Sequence, residues 1–131
     1  MREIGKMQKQ TIVSTGMSDI GEISSCLNIL SQNGLNTRDI SVLHCTSSYP
    51  APFNDLNLKC IPLISQAFDI NVGYSDHSLG IEASIAAVAL GAKIIEKHFT
   101  LDKNLPGPDH SASINFDELM QLVNSIRNIE L

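Results

Sequence analysis

Two short segments end in a histidine at the same place in a repeated pattern: Gly73-Tyr74-Ser75-Asp76-His77 and Ile94-Ile95-Glu96-Lys97-His98. Neutral imidazole is a common ligand for divalent metals and a proton carrier near neutral pH. Glu96 stands two residues before His98, so in a strand both side chains take the same face. A carboxylate on an inner face needs a cation, a substrate hydroxyl or a metal-bound water as its partner. The ordinary alternative is a salt bridge to Lys93 or Lys97, and Lys97 is poorly placed for it because it projects to the opposite face. Ser14, Ser47 and Ser75 each stand at or just after the end of an apolar run, where hydroxyls and backbone N–H groups can cradle a phosphate or carboxylate. Tyr49 is biased towards an extended conformation by Pro50 and can wall a sugar or cover a rim. The chemistry these residues suggest is a divalent-metal or proton-transfer site. Its plain alternative is a pair of polar strand-end histidines bonded to backbone.

Other familiar chemistries lack their residues. The chain has no G-x-G-x-x-G, no Walker loop and no G-x-S-x-G, so dinucleotide, ATP and serine-hydrolase readings are unsupported. Cys26, Cys45 and Cys60 show no C-x-x-C spacing, which argues against a disulfide framework or a zinc knuckle, and Cys45 reads as packing. His44 lies inside a strand and reads as a satisfied core histidine; His110 lies in a loop and reads as solvated. A formal charge of −5 disfavours nucleic acid as the main partner. No run approaches the ~20 apolar residues of a membrane span, and Met-Arg-Glu-Ile-Gly does not read as a signal peptide. The expected compartment is the reducing cytoplasm, with no membrane partner.

The elements that must position these residues follow from the apolar pattern. Thr11 to Gly16 reads as a strand and a turn. Ser18 or Asp19 then caps a helix with Ile20, Ile23, Leu27 and Leu30 on one face, stopped by Asn33-Gly34. Ile40 to Cys45 is a second strand, followed by a rigid Tyr49-Pro50-Ala51-Pro52 loop and a helix carrying Ile61, Ile64 and Phe68, with Pro62 in its first turn. Ile70 to Tyr74 is a third strand, Ser78 to Ala92 a narrow alanine-rich helix, and Lys93 to His98 a fourth strand. After a long loop, Asn115 and Glu118 form a capping box for a helix with Phe116, Leu119, Val123 and Ile126 inward. Four βα units with parallel strands result. Both a small doubly wound sheet and half of an eight-stranded barrel satisfy that pattern, and periodicity does not choose between them. Neighbouring parallel strands lie about 4.8 Å apart, so either architecture carries both histidines to one rim.

Six stretches carry a resemblance: Ser14-Thr15-Gly16-Met17, His44 to Pro52, Gly73 to His77, the Gly80-Ile81-Glu82 to Ala92 segment, Glu96-Lys97-His98-Phe99-Thr100, and Pro106-Gly107-Pro108-Asp109-His110. In this order and spacing the chain resembles the sialic acid synthase family, which includes N-acetylneuraminate, legionaminate and pseudaminate synthases and spore-coat polysaccharide relatives. The resemblance implies the second half of a (β/α)8 TIM barrel, with residues 1–131 forming a partial synthase domain that lacks the family's antifreeze-like carboxyl-terminal domain. It implies condensation of phosphoenolpyruvate with an N-acylated amino sugar of the N-acetylmannosamine type, giving a nonulosonic (sialic) acid and phosphate. It implies Mn2+ or Mg2+ held by His77 and His98, a catalytic role for these two and Glu96, phosphoenolpyruvate contacts from Ser14 and Ser75, and sugar-side contacts from Tyr49, Glu96 and Asp109. Ser47 stands where some members have Asn. The lysines of the family's anion site belong to strands outside this match, so the expectation is an incomplete site with little activity alone, completed by the missing barrel half or by a homo-oligomer. The alternative is a non-catalytic half-barrel remnant that self-associates or binds metal.

Overall fold

The structure, a computed structural model, describes residues 1–130. Helix α1 (Arg2–Met7) precedes four βα units: β1 (Thr11–Ser14) and α2 (Ile20–Gln32), β2 (Ile40–Cys45) and α3 (Cys60–Phe68), β3 (Asn71–Asp76) and α4 (Glu82–Ala89), β4 (Ile95–Lys97) and α5 (Phe116–Ile129). The four strands form one all-parallel sheet in the order β1-β2-β3-β4. Consecutive neighbours in sequence order with a helix in every crossover are the arrangement of a barrel wall, and the sheet is a curled half-barrel with its helices outside. This decides between the two architectures that periodicity left open.

Strand alternation sorts the side chains. Val42, Val72 and Tyr74 join Leu30, Ile61, Ile64, Ala83 and Ala87 in the core between sheet and helices. Gly73 and Ser75 take the other, concave face. A methyl group at Gly73 would come within 2.5 Å of the Ile94 carbonyl oxygen and the Leu43 side chain, so β3 approaches its neighbours as closely as only glycine permits. A second cluster of Ile81, Ile114 and Leu122, with Ile85, Leu119 and Ile126 against it, joins α4 to α5.

Several boundaries differ from the sequence expectation. The helix before β4 does not begin at Ser78. The Asp76 carboxylate accepts hydrogen bonds from the Ser78 N–H and hydroxyl, Gly80 takes φ +70°, and α4 starts only at Glu82. Such local side-chain bonds compete with helix formation. Strand β4 is three residues rather than Lys93 to His98, though Lys93 N–H still bonds Val72 O and Ile94 O accepts from Tyr74 N–H. Strand β3 runs on to Asp76, two residues past the expected end. On α5 the inward stripe is Leu119, Leu122 and Ile126; Phe116 and Val123 are exposed, on the flank beside the packed face. Helix α1 was not expected at all: its six residues carry too short a pattern to register.

The caps match the sequence. Asp19, rather than Ser18, closes a capping box with Glu22, Asn115 closes another with Glu118, and Gly34 adopts φ +104° after α2.

Candidate functional site

The parallel register of β3 and β4 builds the site rung by rung. Ser75 pairs with Glu96 and Asp76 with Lys97, so His77 and His98 leave the sheet together just beyond the last rung. Their ring centroids lie 5.8 Å apart with the planes nearly perpendicular. Tyr49, reaching over from the loop after β2, stacks on His77 at 4.1 Å and meets His98 at 5.4 Å. Both histidine backbones are anchored: the Ala51 N–H donates to the His77 carbonyl and the Ile114 N–H to the His98 carbonyl.

Hydrogen bonds orient the His77 ring. Its Nδ1 lies 2.7 Å from the Thr46 carbonyl oxygen, an acceptor only, so Nδ1 carries a proton. Nε2 lies on the cleft side, 3.2 Å from the Tyr49 hydroxyl and 3.1 Å from Ser75 Oγ, and Ser75 donates its one proton to Glu96 Oε1 at 2.7 Å. An imidazole whose Nδ1–H is fixed by a backbone carbonyl is also the usual form of a metal ligand.

Among the described residues no group of three or more His, Cys, Asp or Glu side chains that could hold a metal ion converges. The two imidazoles are chemically suited to a divalent ion, which would have to complete its shell with water or substrate oxygens. Asp109 comes within 3.9 Å of His98 Nδ1, an ion pair only when His98 is protonated. Tyr49, His77, His98 and Asp109 line one small cleft together with Asp76, Ser78, Lys97 and Ala112.

Tyr49, Ser75, His77, Glu96, His98 and Asp109 are thus gathered at one end of the sheet. Ser14 and Ser47 are not part of that cluster. Ser14 lines a separate pocket between β1 and α2 with Val13, Ser18 and Cys26. Ser47 is exposed, its hydroxyl lying over Gly16, where a Cβ would come within 2.3 Å of it. Cys45 lies below, and burial pushes its thiol up, against the pull of the Thr15 and Gly16 N–H groups and with help from Glu96; it is a packing thiol, not a nucleophile. His44 bonds the Leu56 carbonyl, as expected of a core histidine. His110 is not solvated: its Nδ1 lies 2.7 Å from the Thr100 hydroxyl and the ring is half-buried.

Sequence reasoning missed the face behind the histidines. Lys97 Nζ lies 3.0 Å from Asp76 Oδ2 with both side chains almost wholly buried, at 4% and 0% exposure. The Asp76 carboxylate accepts four bonds, from Ser78 N–H, Ser78 Oγ, Ser84 Oγ and Lys97. Removing one partner of a buried pair leaves an uncompensated charge and costs about 3–5 kcal/mol. The signal was available: residues of opposite sign occupy the position just before each histidine.

The model of the NeuB family matches residues 1–131. The N,N'-diacetyllegionaminic acid synthase of Campylobacter jejuni is 54% identical over 130 residues, covering 99% of this chain and 39% of that protein. The spore coat polysaccharide biosynthesis protein SpsE of Bacillus subtilis superposes with a TM-score of 0.94 at 43% identity, over 98% of this chain and 36% of its own. The N-acetylneuraminic acid (sialic acid) synthetase of Leptospira borgpetersenii superposes at 0.91 with 37% identity, over 98% and 44%. The chain therefore spans well under half the length of these relatives. With the family model matching from end to end, and the sheet, crossovers and strand ends following those of the solved relatives, this chain belongs to the NeuB family.

Proposed function

We propose that this chain carries one half of the active site of a nonulosonic acid synthase, which condenses phosphoenolpyruvate with an N-acylated amino sugar to give a nonulosonic acid and phosphate. The carrying observation is the paired presentation of His77 and His98, with His77 Nε2 turned towards Ser75, which in turn bonds Glu96. Family membership supports the reaction class, since the relatives named above include legionaminic and sialic acid synthases.

In this reading Mn2+ or Mg2+ is held by His77 and His98 and supplies Lewis-acid polarisation of the sugar carbonyl. The chain's own residues do the rest. Glu96 holds a sugar hydroxyl or a water, with Ser75 fixing its Oε1. The Tyr49 ring, already stacked on His77, walls the sugar, and Asp109 takes a hydroxyl from the far side of His98. Ser14 contributes a hydroxyl to the anionic substrate, and Ser75 can donate to it only on releasing Glu96. Ser14 lies apart from the histidine cleft, so its contact belongs to the part of the pocket nearer β1. Fixed dipoles of this kind act where charge develops, without reorganising.

The match stops short of the relatives' full length, so the expected result for these 131 residues alone is no turnover. The test is phosphate release with phosphoenolpyruvate, an N-acyl amino sugar and Mn2+, with and without the remaining segments of a relative supplied as a separate polypeptide. Turnover only in the mixture supports the reading. Vigorous turnover by the chain alone contradicts the incompleteness, and silence in both arms with no Mn2+ bound contradicts the synthase assignment. The remnant reading, a half-barrel that self-associates or binds metal without catalysis, is left standing by silence in both arms with metal bound.

A further inference from the structure

We propose that the buried Asp76–Lys97 pair sets the spacing of the His77 and His98 rings, making Asp76 and Lys97 positioning residues for the metal site; its metal-binding consequence rests on the reading just given. Asp76 and Lys97 are direct partners on the last rung between β3 and β4, and each immediately precedes one histidine. Pairing between β3 and β4 ends there, and the two following residues are anchored separately, His77 to Ala51 and Thr46 and His98 to Ile114. Lys97 supplies the restraint that ties the two strand ends to each other. Its ammonium lies 3.0 Å from Asp76 Oδ2 and donates to the Ser78 carbonyl at 2.8 Å, so it grips the residue before His77 and the residue after it. Asp76 in turn fixes Ser78 through both its N–H and its hydroxyl, and reaches the first turn of α4 through Ser84 Oγ at 2.5 Å.

Alternation then does the rest. With Asp76 and Lys97 directed away from the concave face, His77 and His98 must be directed into it. A one-residue slip of either strand would break the pair and turn its histidine outward, leaving a buried charge unpaired. A chain that only needed stability at this rung would do as well with two apolar residues, since apolar replacement of a buried pair is often neutral. An ion pair adds a unique register, which two imidazoles sharing one ligand require.

The experiment compares wild type with Lys97→Met, Lys97→Arg and the charge-neutral double variant Asp76→Asn/Lys97→Met. Two readouts are taken on the folded chains: proton NOEs among the His77, His98 and Tyr49 rings, and Mn2+ affinity by loss of the free-ion EPR signal. The expected result is that Lys97→Met and the double variant fold but lose the His77–His98 ring NOEs and bind Mn2+ weaker on the order of 10–100-fold. Lys97→Arg, which keeps a charged donor, keeps the NOEs. Intact ring NOEs in the double variant overturn the proposal. Failure of the double variant to fold overturns it too, because the pair would then be holding the whole domain rather than two rings. If wild type shows the NOEs but binds no Mn2+, the metal reading falls, and the positioning proposal is decided by the NOEs alone.

Discussion

His77 carries the sharpest chemical statement in the molecule, because one backbone carbonyl decides which nitrogen faces the cleft. Thr46 O accepts from Nδ1–H, and Nε2 lies towards Tyr49 and Ser75. Replacing either His77 or His98 with Ala removes one of the two proposed protein donors. Mn2+ titration of each variant is expected to show affinity lower by at least the 10–100-fold or so that loss of an outer partner causes. Equal affinity in wild type and both variants would show that the ion, if any, sits elsewhere. That His77, His98, Glu96 and Ser75 come together was readable from the chain, since spacing and the two-residue period place them at one end of the sheet. What the sequence did not show is the third dimension around them. Thr46 acts through its carbonyl, which has no letter of its own, and Lys97 finds Asp76 across the ladder rather than along the chain. Tyr74 poses the opposite case: its hydroxyl is buried with no partner among the described residues. Tyr74→Phe is expected to leave thermal stability unchanged or to raise it, by about 1 kcal/mol, because an unsatisfied polar atom is removed. A clear fall in melting temperature would reveal a partner for that hydroxyl.

Elements were legible in proportion to how local their causes are. Helices α2 and α5 were found with their caps because a capping box lies within four residues of sequence. Asn115→Ala is expected to lower stability by about 1 kcal/mol in urea denaturation, with the helix content of the native state unchanged. Strand β2 was read to its true ends, Ile40 and Cys45. The errors fell where a side chain overrules the pattern: Asp76 captures Ser78 and delays α4, and no periodicity records that. The inward face of α5 was half right: Leu119 and Ile126 pack inward, but Phe116 and Val123 are as apolar as Leu122, and only the packing against α4 distinguishes them. Gly73 belongs to this scale as well. It sat in a motif whose letters matched, but its structural reason is the close approach of β4. Gly73→Ala is expected to cost about 1–3 kcal/mol, as overpacking does, and to weaken Mn2+ binding by pushing β4 and its histidine away from β3. Unaltered stability would mean that β4 yields freely.

At the scale of the molecule, two ionisable groups make stability depend on pH at opposite ends of the range. Glu118 closes the cap of α5 and bonds Lys103 in the long loop after β4, tying that loop to the last helix. The Lys103 hydrogen bond, helped by the Asn115 N–H, holds the Glu118 carboxyl below its ordinary value. A carboxylate whose pKa is lower in the folded chain favours folding above the unfolded pKa, about 4.3, and that contribution fades as pH falls through the lower folded value. The side chain is about a third exposed, so solvent screening keeps the effect small. Tyr74 acts at the other end. Burial, with the Asp76 charge adding to it, pushes its phenol well above the ordinary range. The unfolded chain releases that proton near pH 10, while the folded chain retains it, so stability is intact below about pH 10 and falls as pH rises further. Denaturant midpoints measured from pH 3 to 11 are therefore expected to form a plateau with two shoulders. Glu118→Gln flattens the acid shoulder and Tyr74→Phe the alkaline one, each without touching the other. Because the two groups lie on different elements and share no partner, their effects add. A variant that moved both shoulders would show that the loop, α5 and the sheet titrate as one unit.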